Sequence, residues 1–270
     1  MNLDNKGLLD NIKVISSRNM TKEVVKRCVT MLDVTTLDVK DTPKSVSLFT
    51  SEVLRKLSEN GLPPVASICV TPLFIENVGV ALSDTSISIT AVVGSFPLSQ
   101  TFLEVKILEC AMALENGADE LDVVLNVGGV LEGDDDLVIS ELKFLKEEID
   151  DDALLKVIIE CGELKTPEKI IHATKIAISA GADFVKTSTG KVPVNATPEA
   201  VALMCGVIKE HFEKTGHKVG IKVAGGVSSV EALVAYYTIV EEILGDEWLT
   251  PQYFRVGTSS LLDKMIEFLK

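Results

Sequence analysis

Eight short runs rich in valine, isoleucine and leucine recur along the chain, and longer segments with helix punctuation separate them. The runs are Thr30–Leu37, Val65–Thr71, Ser86–Gly94, Glu120–Val127, Leu154–Cys161, Asp183–Ser188, Val219–Ala224 and Tyr253–Thr258. Several are apolar almost end to end, the pattern of strands covered on both faces of a parallel sheet. Between them, Pro43–Asn60 opens with proline and closes before Gly61, and Ser99–Asn116 stops at Gly117. Thr166–Ala180 and Thr197–Lys214 each open on Thr-Pro and end at or just before a glycine. Ser228 and Glu231 read as a capping box, and Ser259 reads as the start of the final helix, to Leu269. Residues 71–82 read as a short, irregular helix, and the acidic run Asp134–Asp136 as a helix end or a solvated turn. Eight such alternations predict an α/β fold of the (β/α)8 TIM-barrel type. A doubly wound sheet would place a GxGxxG after its first strand, and none occurs. An amphipathic stretch over Met20–Thr30 predicts an extra N-terminal helix, in an extension covering residues 1–30. No linker or low-complexity run divides the chain, so residues 1–270 read as one barrel domain.

An internal repeat aligns two of the strands. Asn116–Asp122 (NGADELD) matches Ala180–Lys186 (AGADFVK) at an offset of 64 residues. In each copy a helix stops at glycine and a strand begins, so Asp122 and Lys186 occupy equivalent strand positions. They lie on strands four and six, which contribute to the same interior layers of a barrel. The repeat therefore aims a carboxylate and an amine at one another.

A lysine inside a doubly covered strand is costly unless it is paired or does chemistry. Lys186 reads as a Schiff-base nucleophile. Free lysine has a pKa near 10.4, so a nucleophilic lysine needs a downward shift of roughly 3 units. Desolvation and a neighbouring cation both push that way. Lys222, mid-strand in Gly220–Gly226, supplies the cation, and Lys156 is a third strand lysine. Asp122 and Asp33 stand ready to neutralise the cluster and relay protons. Cys69 closes the second strand and reads either as facing this site or as a buried thiol.

A second constellation is rich in glycine and hydroxyls. Gly190-Lys191 follows strand six, Gly225-Gly226-Val227-Ser228 strand seven, and Gly257-Thr258-Ser259-Ser260 strand eight. Glycines let backbone N–H groups approach an oxyanion, and helix starts add donors and a dipole. Barrels often bind phosphate after strands seven and eight. The net charge of −14 argues against nucleic acid and anionic membrane as partners, and makes such local positive sites informative. No signal-peptide core and no apolar run approaching ~18 residues appears, and the five cysteines form no CxxC. These features predict a reducing cytoplasmic setting without disulfides. His172, His211 and His217 form no HExxH or HxxxH pair, so neither metal nor cofactor is expected.

The segments Ala118–Val124 (ADELDVV), Lys156–Leu164 (KVIIECGEL), Ala182–Lys191 (ADFVKTSTGK), Lys222–Val227 (KVAGGV) and Gly257–Leu261 (GTSSL) resemble the deoxyribose-phosphate aldolase family. The resemblance runs from about Met31 to the C-terminus. It implies a class I aldolase on a (β/α)8 barrel. That enzyme reversibly cleaves 2-deoxy-D-ribose 5-phosphate to D-glyceraldehyde 3-phosphate and acetaldehyde through a lysine Schiff base, in deoxyribonucleotide catabolism. By position it makes Lys186, Asp122 and Lys222 catalytic, and Gly190, Lys191, Gly225, Gly226, Gly257, Ser259 and Ser260 the phosphate site. Asp33 and Lys156 become supporting residues. A small phosphorylated sugar and a second copy of the chain are the implied partners. Three features depart from the family pattern: Ser228 stands where many members have arginine, Gly94–Ser99 lacks the usual Phe-Pro-x-Gly, and the sequence stops at Lys270 without the tyrosine-ended tail some members use. Two alternatives stay open: another lysine-dependent phospho-sugar aldolase, and a catalytically silent phosphate-binding barrel.

Overall fold

A computed structural model describes residues 6–149 and 152–270. Three helices come first: α1 (Lys6–Asp10), α2 (Ile12–Ser17) and α3 (Lys22–Val29). The barrel then runs β1 (Leu32–Thr35), α4 (Pro43–Glu59), β2 (Ser67–Val70), a 3₁₀ turn (Pro72–Phe74) leading into α5 (Ile75–Leu82), β3 (Ser88–Val93) and α6 (Leu103–Glu115). It continues through β4 (Glu120–Val124), α7 (Val127–Glu132), α8 (Asp135–Ile149), β5 (Leu154–Ile158), α9 (Cys161–Leu164) and α10 (Pro167–Ser179). The last units are β6 (Phe184–Lys186), α11 (Pro198–Thr215), β7 (Gly220–Ala224), α12 (Val230–Leu244), β8 (Phe254–Thr258) and α13 (Leu261–Leu269). The eight strands are parallel and close in sequence order, with Leu32 opposite Val256 and Asp33 opposite Gly257 at the seam. This is the (β/α)8 barrel the alternation predicts, and all eight strands fall inside the expected runs.

The helices start where the caps dictate. Thr42, Thr166 and Thr197 each precede a proline in the first turn and accept a hydrogen bond from the backbone N–H three residues on. Each such cap is worth about 1 kcal/mol. The internal repeat has a physical basis. Gly117 and Gly181 both take positive φ just beyond a helix end, as C-terminal helix stops do. Asp119 and Asp183 then accept from Ile89 N and Leu155 N on the preceding strand, each at 2.8 Å. Both copies thus tie a new strand to its neighbour before placing Asp122 or Lys186.

Several local expectations are corrected. The cap of α12 is Ser229, which accepts from Ala232 N at 3.1 Å, and the expected Ser228–Glu231 box does not form. Ser228 stays in the glycine turn, its carbonyl held by Lys264 Nζ at 2.5 Å. The later start leaves Val230, Leu233 and Val234 buried together. The final helix likewise begins one residue late, with Ser260 at its N-cap. Among its described residues the N-terminal extension holds three helices, against the one expected. The first two are short and bury little; Ile12 and Ser16 are the buried positions of α2. Helices α7 and α8 fill the β4–β5 connection, and Asp135 and Asp136 sit in the first turn of α8, where a helix dipole favours acids. Among the described residues no helix is long and apolar enough to cross a membrane.

Candidate active site

Alternation along the strands splits the barrel interior from the strand–helix core. Val123, Val157, Val185, Ile221 and Val223 join the apolar core around the barrel. Asp33, Glu120, Asp122, Lys156, Lys186, Lys222 and Arg255 point the other way, into the barrel, and all are buried. Neighbouring strands set the register: Asp122 lies opposite Lys156, Lys186 opposite Lys222, and Lys222 opposite Arg255.

Asp122 is the hub. Its Oδ2 accepts from Lys186 Nζ and from Lys222 Nζ, both at 2.7 Å, and its Oδ1 from Lys156 Nζ at 3.0 Å. Lys222 Nζ also lies 2.5 Å from Asp33 Oδ2, a charge contact outside hydrogen-bonding alignment. Deeper in the barrel, Arg255 donates from Nη1 to Asp33 Oδ1 and from Nη2 to Glu120 Oε1, each at 2.7 Å. Lys156 Nζ reaches Glu120 Oε2 at 2.6 Å, and the Thr90 hydroxyl donates to the same oxygen at 2.7 Å. The structure therefore brings together five sequence-derived residues: Lys186, Asp122, Lys222, Lys156 and Asp33. Sequence reasoning missed Glu120, Arg255 and Thr90. The period-2 signal was available, since Glu120 precedes Asp122 by two residues and Arg255 precedes Gly257 by two.

The two lysines on Asp122 Oδ2 are pushed in opposite directions. Burial pushes the Lys186 amine below the ordinary lysine range; Asp122 opposes this and Lys222 reinforces it. Burial also disfavours charge on Lys222, but Asp122 and Asp33 outweigh it and hold Lys222 above the ordinary range. Burial would raise the Asp122 carboxyl, yet Lys156, Lys186 and Lys222 hold it well below the usual carboxylate range. The arrangement is an amine biased toward neutrality, an ammonium favoured beside it, and a carboxylate joining them. It can add a nucleophile to a carbonyl and move protons around the adduct.

Lys186 and Lys222 reach the floor of a pocket of about 720 Å3, walled by the loops after β1, β6, β7 and β8. Gly190, Gly225 and Gly226 line it with positive φ. A Cβ on Gly225 would come within 2.6 Å of the Asn195 side chain. Gly257 is tight too, where a Cβ would stand 3.1 Å from that of Ala224. Ser259 and Ser260 line the rim, but the N–H groups of Ser260 and Leu261 turn back onto Thr258 Oγ1 at 3.3 and 3.1 Å. The Lys191 ammonium is already used, donating to the Leu37 carbonyl across the mouth at 2.7 Å. The strand alternation that turns Ser67 inward, toward Thr90, also turns Cys69 into the barrel. Its thiol is wholly buried, and burial raises its pKa. Among the described residues, no three His, Cys, Asp or Glu side chains cluster as a metal would require.

The chain matches the family model described as DeoC/LacD family aldolase over residues 31–240. It is 37% identical over 247 residues to the human deoxyribose-phosphate aldolase, covering 87% of this chain and 77% of that one. It is 38% identical over 248 residues to the mouse deoxyribose-phosphate aldolase, with the same coverage. Among solved structures, the tetrameric deoxyribose phosphate aldolase from Aeropyrum pernix superposes with a TM-score of 0.71 at 26% identity, covering 96% of each chain. An aldolase designated QR15 superposes with a TM-score of 0.70 at 30% identity, covering 90% of this chain and 96% of that one.

Proposed function

The chain belongs to the DeoC/LacD family of aldolases, and on that premise we propose that it reversibly cleaves 2-deoxy-D-ribose 5-phosphate to D-glyceraldehyde 3-phosphate and acetaldehyde. The observation that carries this reading is Lys186 Nζ at the pocket floor, sharing Asp122 Oδ2 with Lys222 Nζ. Neutral Lys186 attacks the C1 aldehyde of the open-chain sugar. The Lys222 ammonium supplies the proton with which the carbinolamine loses water, and the iminium forms. That cation is an electron sink, so the C2–C3 bond breaks once the 3-hydroxyl gives up its proton. Glyceraldehyde 3-phosphate leaves; the enamine is protonated at C2 and hydrolysed to acetaldehyde. Asp122 carries protons between Lys186 and Lys222, either directly or through a water. Asp33 and Lys156 hold that carboxylate and its lysine in place, and Cys69 lies alongside as a protonated thiol.

The phosphate is read onto the loops bearing Gly190, Lys191, Gly225, Gly226, Gly257, Ser259 and Ser260. These loops touch an end of the substrate that does not react, so their energy goes mainly into binding and positioning. A charge-assisted contact is worth roughly 1.5–3 kcal/mol. Lys191→Ala or Ser259→Asp is therefore expected to cost about 10- to 100-fold in kcat/KM for the phosphorylated sugar, mostly through KM. Ser259→Asp has the larger effect, because Lys191 must first leave the Leu37 carbonyl. Unphosphorylated 2-deoxyribose is expected to lose far less. Equal losses on both substrates would remove the phosphate site, and the substrate assignment with it.

Self-association in a cytoplasmic setting completes the reading. Phe102, Val105, Leu108 and Met112, at and along α6, are exposed apolar residues in a row at helical spacing. They support pairing with a second copy of the chain. Sedimentation is expected to give a dimer or higher oligomer; a monomer at micromolar concentration would remove this part.

A further inference from the structure

The charges below the pocket do not balance. Three carboxylates, Asp33, Glu120 and Asp122, meet four bases, Lys156, Lys186, Lys222 and Arg255, in one connected set of ion pairs. The set lies inside the barrel, and no member's side chain is more than 6% exposed. Strands β2 and β3 add no charge to it: Ser67 and Cys69 come from β2, and Thr90 and Val92 from β3. From β6, besides Lys186, comes Phe184, with its ring 5.6 Å from the Arg255 guanidinium carbon. Phe96, from the loop after β3, is the aromatic ring over Lys186 Nζ, at 6.0 Å. With every group ionised the cluster carries one surplus positive charge, which is costly away from water.

Releasing a single proton removes that surplus, and the geometry selects which base releases it. Arg255 cannot release a proton. Lys156 meets three carboxylates, at 2.6, 3.0 and 3.7 Å. Lys222 meets two, at 2.5 and 2.7 Å. Lys186 meets only Asp122, and shares the oxygen it touches with Lys222. It is the least compensated base, and it reaches the pocket.

We propose that Arg255, from the floor of the barrel, sets the protonation state of Lys186. Its permanent charge occupies Asp33 Oδ1 and Glu120 Oε1, leaving Lys156 and Lys222 to claim the rest of the carboxylate capacity and Lys186 to stay neutral. Arg255 does not line the pocket; it is a positioning residue acting through Asp33, Glu120 and Lys222. Without its charge, three carboxylates face three lysines, and Lys186 keeps its proton. Without the charge of Glu120 the surplus grows, and Lys186 releases its proton more readily.

This inference rests on the Schiff-base reading of Lys186, and the test separates the two. The readout is the rate at which acetaldehyde forms a borohydride-reducible adduct on Lys186, followed by timed quenching across a pH series and peptide mass mapping. In Arg255→Met the acid limb is expected to move up by about 1 pH unit, so that trapping below the limb slows about tenfold. In Glu120→Gln the limb moves down. Arg255→Lys keeps the charge and leaves the limb in place. The double variant Arg255→Met/Glu120→Gln restores the count and returns the limb toward that of the unaltered protein, which a merely structural role for Arg255 does not produce. If Arg255→Met fails to fold, the opposite-signed shift in Glu120→Gln decides the matter. Limbs that coincide in all variants, or a double variant no closer to the unaltered protein than Arg255→Met, overturn the inference alone. An unaltered protein with no label on Lys186 overturns the Schiff-base reading, and this inference falls with it.

Discussion

Replacing Lys186 with leucine is expected to lower cleavage of 2-deoxyribose 5-phosphate by about 10⁴-fold or more, while the protein stays folded. The rate falls because no other group at the pocket floor is a neutral amine. Lys222 is held charged by Asp122 and Asp33, and the other lysine of the cluster, Lys156, is wholly buried beneath them. Without a covalent iminium, the C2–C3 bond has no electron sink. The fold survives because Lys186 is the base with the weakest claim on the buried carboxylates. Removing one partner of a buried ion pair often costs 3–5 kcal/mol. Here Asp122 retains Lys222 and Lys156 at 2.7 and 3.0 Å, and a neutral Lys186 takes no charge out of the cluster. Circular dichroism and a melting curve alongside kcat/KM check both halves. A variant within about tenfold of the parent would sink the nucleophile assignment.

Lys222→Leu is expected to damage phosphorylated and unphosphorylated substrates alike, by about 100-fold near neutral pH. The sign follows from the cause. Lys186 is nucleophilic only as the neutral amine, which exists above its pKa and is lost as pH falls through it. Burial and the Lys222 charge hold that pKa down. Removing the charge raises it, so the acid limb of kcat/KM moves up by roughly 1–3 units, and part of the activity returns as pH is raised. A loss of the same size at every pH would mean that Lys222 serves only as proton donor and does not tune its neighbour.

Most of this architecture is legible before any coordinates, and the reasons are local. Val/Ile/Leu runs alternating with proline- and glycine-punctuated helices leave little besides a closed parallel barrel, and all eight strands appear. The 64-residue repeat aims Asp122 at Lys186 because each copy uses the same glycine stop and the same aspartate tie to the preceding strand. What escaped the sequence reading depends on packing across the barrel. Arg255 and Glu120 stand in segments that also read as ordinary strand ends, and only closure of β8 onto β1 brings Arg255 to Asp33. The two helix starts lie one residue beyond the serines expected to open them: at α12 the adjacent Ser229 caps and Val230 is buried, and at α13 the Thr258 hydroxyl takes the Ser260 and Leu261 N–H groups while Leu261 is buried. The commitment of Lys191 to the Leu37 carbonyl joins residues 154 apart and has no local signature.

The central claim is that Lys186 forms a Schiff base, and reductive trapping tests it most directly. The protein is treated with acetaldehyde and borohydride, digested, and mapped by mass spectrometry. An ethyl group on Lys186, with loss of activity in proportion to labelling, is the predicted result; an adduct on Lys222 instead, or inactivation with no lysine adduct at all, would contradict it.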